Sequence, residues 1–160
     1  MKNVLRIFLI AAVGLVLVPN PASAEAGFGL SVDDEGLKSF YLAVGDHFKV
    51  PEKEIVIVRE RKVPDEQMPV VFFLARRAEV APSAVLSLRS DGKSWMDIAL
   101  HFGLSAETFY VPVKGDPGPP YGHAYGHFKK HKRDRWQEIR LSDDDIVNFV
   151  NLRFVSDHYG

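Results

Sequence analysis

The stretch LSLRSDGKSWMDIALHFGLSAETFYVP, residues 86–112, holds the densest set of helix boundaries in the chain. Gly92 ends one segment, Ser94 opens the next, Gly103 ends that one and Ser105 opens a third. Ser94 with Asp97 three residues later fits a capping box, in which side-chain oxygens satisfy the orphan N–H groups of a helix start. Trp95, Ile98, Ala99 and Phe102 then recur at i, i+3, i+4 and i+7, one face of a helix. Gly103 suits the left-handed residue just past a helix end, and Leu104 can pack back over the last turn. Ser105 can cap a second helix, with Glu107 near its positive end and Phe109 and Tyr110 as its buried side chains. The spacing predicts two short helices packed at an angle, covered by the segments on either side.

Within it, SWMDIALHFGLSAETF resembles the helix-turn-helix of transcription factors. Ala99 stands where two helix backbones approach, Gly103 holds the turn, and Ile98, Leu104 and Phe109 occupy core positions. The resemblance covers residues 94–111 and implies a second helix that reads DNA. The chemistry of that helix opposes the implication. Base edges and phosphates are read chiefly by Arg, Lys, Asn and Gln, whereas this helix offers Ala106, Glu107, Thr108, Phe109 and Tyr110. Glu107 would face phosphate repulsion, and Pro112 cuts the element short. The corner therefore reads as packing, and no DNA partner is expected.

The flanking segments follow helical spacing too. Pro82 opens a helix through Leu88, with Val85, Leu86 and Leu88 apolar. Before it, Val70 to Ala75 (VVFFLA) is apolar nearly all round and should be the most buried helix. Pro69 lies in the first turns of that helix, and Arg76 and Arg77 near its negative end. Pro51 with Glu52 and Glu54 marks an earlier start. There Ile55-Val56-Ile57-Val58 fits a buried strand as well as a helix. Helix is favoured because Pro64-Asp65-Glu66 repeats the same opening device. Leu37, Phe40, Tyr41, Val44 and Phe48 predict a helix over 32–49, capped by Ser31 with Asp34. At the other end, Ser142 caps, Asp145 reciprocates and Leu141 can staple to Ile146. Ile146, Phe149, Val150 and Phe154 carry that last helix to about Asp157. The class is all-α: a single domain at 32–160 of about six short helices.

The chain begins with Lys2 and Arg6, an unbroken apolar run of twelve residues from Ile7 to Val18, Pro19 and Pro21, and then Ala22-Ser23-Ala24. This is the anatomy of a secretory signal peptide at residues 1–24. The run is short of the roughly 20 apolar residues a membrane span needs, so no transmembrane segment is expected in the mature chain. Residues 25–31 read as a flexible leader. Export to the periplasm or the extracellular space follows, for a domain with no cysteine and hence no disulfide. Cleavage after Ala24 would leave 18 of the 20 basic residues against 21 acidic ones, a balance unlike that of a dedicated nucleic-acid binder.

Residues 112–122 are rich in Gly and Pro and should be irregular. The basic and aromatic segment 121–136 follows. Lys129, Lys130, Lys132, Arg133 and Arg135 form its cluster of cations, flanked by Tyr121, Tyr125, Phe128 and Trp136. Cations interleaved with rings suit an anionic polymer, a lipid headgroup or an acidic envelope protein, through ion pairing and stacking. In the same segment His123, His127 and His131 recur every four residues. Imidazoles at i and i+4 of a helix can hold a divalent metal ion. Positions i and i+8 lie about 12 Å apart along the axis, so His123 and His127 make the candidate pair. Its further ligand would be His158, Asp134 or His101.

The chain contains no nucleophile elbow, phosphate loop, dinucleotide fingerprint or cysteine nucleophile. Asp143, Asp144 and Asp145 lack the alternate spacing of a calcium loop and read as a helix start. No catalytic residue and no cofactor is assigned. The expected function is that of an exported, non-enzymatic envelope protein binding a partner or anionic surface through residues 121–136. A histidine-mediated metal-binding protein is the first alternative, and an envelope hydrolase without a recognisable motif the second.

Overall fold

A computed structural model of the chain describes residues 34–115 and 118–159. The predicted signal peptide, the leader and the Ser31 cap lie outside the described residues. Seven α-helices form among the described residues: α1 (Asp34–Phe48), α2 (Glu52–Glu60), α3 (Met68–Ala78), α4 (Pro82–Ser90), α5 (Trp95–His101), α6 (Gly122–Lys129) and α7 (Asp143–Tyr159). Single 3₁₀ segments at Asp65–Gln67, Ala106–Phe109 and Arg133–Glu138 connect them, and no strand occurs among the described residues. None of the described helices is long and apolar enough to cross a membrane.

Helix α3 is the axis of the core. Every residue from Met68 to Ala75 is buried, as its all-round apolar sequence requires. It packs between α4 and α7, with α1 also against it. The Ile55–Val58 run is helical. Ile55 and Val58 are buried while Val56 and Ile57 are 41% and 38% exposed, the i, i+3 pairing of one helical face. A strand would instead have buried alternate residues.

The central corner forms with one difference. Ser94 Oγ accepts the Asp97 N–H at 3.1 Å and donates to Asp97 Oδ2 at 2.7 Å. Gly103 takes the left-handed conformation at φ +75°, and the Leu104 N–H closes back on the Ala99 carbonyl at 2.9 Å. The predicted second helix, however, is only the four-residue 3₁₀ turn Ala106–Phe109. Ser105 and Pro112 stand too close for more, and Ala106 and Phe109, both fully buried, anchor the turn to the core.

The segment after the Gly/Pro stretch is regular. Gly122 and Gly126 disfavour a helix, yet α6 forms because Ala124, Tyr125 and Phe128 are buried on one side of it. Tyr125 and Phe128 meet Phe149 of α7 edge-on, at ring-centre distances of 5.0 and 5.6 Å. Tertiary burial of two rings, about 2–3 kcal/mol each, outweighs the roughly 1 kcal/mol that each glycine costs.

Candidate metal centre

The start of α7 is built by the predicted capping box. The Asp145 N–H donates to Ser142 Oγ at 3.1 Å. In return Asp145 Oδ2 accepts the Ser142 N–H at 3.1 Å and the Ser142 hydroxyl at 2.8 Å. Asp145 also stands one turn before Phe149, on the same face of α7. The ring contacts that seat α6 on Phe149 therefore bring that carboxylate under α6. His123 and His127, four residues apart, are the side chains that meet it.

His123 Nδ1 lies 3.0 Å from Asp145 Oδ1, and His127 Nε2 lies 3.5 Å from Asp145 Oδ2. The two imidazoles are nearly perpendicular, with ring centres 5.0 Å apart. One donor atom from each of the three residues lies within 4.8 Å of the others. Donors around a single zinc-sized ion, each about 2.0–2.2 Å from it, stand roughly 3.3–3.6 Å from one another, so the arrangement is close to a ligand set. The Asp145 side chain is 4% exposed, against 31% for His127 and 75% for His123. The carboxylate forms the floor and the imidazoles the rim.

Burial pushes the Asp145 carboxyl up. Hydrogen bonds from His123, the Ser142 hydroxyl and the Ser142 N–H, with the charge of His123, outweigh it and hold the group below the usual carboxylate range. Asp145 is thus an anion, and an anionic oxygen beside two imidazole nitrogens suits zinc, copper or nickel.

Asp145 is the third donor of the cluster, and sequence reasoning missed it. Of the candidates named for that place, His101 and Asp134 are exposed and stand outside the cluster, and the side chain of His158 is outside the described residues. His131 also stands apart, its Nδ1 2.8 Å from the His127 carbonyl.

The proposed anion-binding residues divide into two sets. Lys129, Lys130, Lys132, Arg133 and Arg135 are all exposed. Arg135 is paired with Glu138 at 2.8 Å, and Arg133 Nε lies 4.0 Å from Glu107. Their aromatic neighbours turn inward. Tyr125 is buried and its hydroxyl donates to the Val111 carbonyl; burial, reinforced by Tyr110, pushes that hydroxyl up to about 12. Tyr121 is half-buried. Trp136, also half-buried, packs 4.6 Å from Tyr110 and 4.9 Å from Phe128. The rings hold α6 and the following 3₁₀ segment to the domain rather than standing free for stacking.

Concavities of about 250 and 900 Å³ lie beside the end of α2 and between α1 and α2. Neither is lined by His123, His127 or Asp145. No known protein family matches the chain, and no curated protein or solved structure matches it.

Proposed function

We propose that this protein binds a divalent transition-metal ion through His123, His127 and Asp145. The observation that carries the reading is the convergence of three donor atoms within 4.8 Å from two helices. The Ser142 hydroxyl and N–H fix the carboxylate from behind, as hydrogen-bond donors to ligating carboxylates do in metal sites. Without an ion Asp145 Oδ1 is paired with His123 Nδ1 at 3.0 Å, so an ion would have to replace that contact. Equilibrium dialysis of tag-free protein against Zn²⁺, Cu²⁺ and Ni²⁺ tests the reading. One ion per chain is expected, and it should be lost in His123→Ala, His127→Ala and Asp145→Asn. Stoichiometry that survives loss of both histidines would end it.

A second reading is contact with an anionic envelope polymer, lipid headgroup or acidic protein through the cations of residues 129–135. It is favoured by the exposure of Lys129, Lys130, Lys132 and Arg133 along one short stretch. With Tyr125 buried and Trp136 packed, that contact would be ionic and strongly weakened by salt. Co-sedimentation with anionic vesicles, for the native chain and for a variant with these four residues changed to Ala, distinguishes it. Both readings take the molecule as exported on the strength of its first 24 residues. A mature amino terminus at Glu25 would support that, and full-length protein recovered from the cytoplasm would oppose it.

A further inference from the structure

We infer that an ion held by His123, His127 and Asp145 keeps an exchangeable coordination position and takes a small anionic oxygen or nitrogen donor from solution. The inference rests on the metal-binding reading above and extends it to what the bound ion does next.

Three features lead to it. First, the donor set stops at three. Structural zinc sites close with four protein ligands, whereas three protein ligands leave a place for water or substrate. Among the described residues no further imidazole or carboxylate joins the cluster. Asp143, two residues away, is engaged by the Arg89 guanidinium and the Trp95 N–H, each at 2.7 Å. Second, Asp145 has one oxygen to give. Its Oδ2, the oxygen 3.5 Å from His127 Nε2, already accepts two hydrogen bonds from Ser142, which occupy its lone pairs and leave Oδ1, the oxygen facing His123, as the coordinating atom. The carboxylate therefore does not fill two positions. Third, exposure falls across the site from 75% at His123 through 31% at His127 to 4% at Asp145. The protein closes one side of the ion, and the remaining positions face water.

Charge selects the incoming ligand. A divalent ion with one carboxylate keeps a net positive charge, which favours an anionic donor over a neutral one.

Cobalt provides the probe, because its visible d–d absorption reports coordination directly. Protein loaded with Co²⁺ should show a band that shifts saturably as azide is added, with one azide per cobalt. The shift should be absent in Asp145→Asn, which loses the ion. Cobalt that binds at one per chain, with a spectrum unmoved by azide, overturns the open position and leaves the metal site standing. Cobalt that fails to bind overturns both.

Discussion

Two helices of this domain start with the same sequence device and put it to different use. At α5, Ser94 caps and Asp97 reciprocates; at α7, Ser142 caps and Asp145 reciprocates. Asp97 is exposed, and its carboxylate accepts the Ser94 hydroxyl at the start of its own helix. Asp145 is buried, and α6 lays two imidazoles against it. A capping motif is thus a local structure, and what its acid does beyond the cap is decided by what the tertiary fold places over it.

The largest expected effect separates these two acids. Asp145→Ala removes the acceptor for Ser142 and His123 inside the protein, and should destabilise the domain by about 2–4 kcal/mol. Urea unfolding of the variant beside the native chain measures it; a loss below about 1 kcal/mol would make Asp145 the equivalent of Asp97. The pH dependence has the same origin. With its folded value held below the ordinary one, Asp145 contributes stability that is fully present above about pH 4, the unfolded carboxyl value. That contribution is lost as pH falls through the depressed folded value. Acid denaturation of native protein and of Asp145→Asn should therefore diverge above about pH 4 and converge below it.

Zinc gives the next effect. At a free concentration one hundred times the dissociation constant, binding should add about 2.7 kcal/mol to unfolding. The increment should persist in Asp97→Ala and vanish in Asp145→Asn. Asp97→Ala on its own should cost no more than about 1 kcal/mol, with unchanged zinc stoichiometry by dialysis. The smallest effect concerns the helix that carries the imidazoles. A methyl group at Gly126 would meet nothing within 4 Å, and Gly126 has an ordinary helical backbone. Gly126→Ala should stabilise by up to about 1 kcal/mol, read as a small rise in the urea midpoint, and should tighten zinc binding if α6 frays when the site is empty.

The helices were legible because their signals are local. Proline openings, serine caps and 3.6-residue periodicity all act within a turn or two, and α2, α3, α4, α5 and α7 follow them. Their limit shows at Ala106–Phe109, where Phe109 and Ala106 fit either a helix or a single tight turn and only packing chooses. The imidazole pair was legible for the same reason, since four-residue spacing needs no partner. Asp145 was not. Its role at the α7 start accounted fully for its presence in the sequence, and its contact with His123 spans 22 residues. That contact exists only because Tyr125 and Phe128 seat α6 on Phe149. The aromatic side chains of residues 121–136 escaped for the converse reason: composition shows rings beside cations, while the helical period and the burial of Phe149 decide which of them point inward.

Asp143 links two places far apart in the chain, because its carboxylate takes the main-chain N–H of Trp95, 48 residues earlier. The beginnings of α5 and α7 thus share one fastener. Deuterium uptake at the Trp95 amide should consequently track opening of the last helix, which makes that single proton a gauge, readable from a distance, of whether the helix start that carries Asp145 is intact.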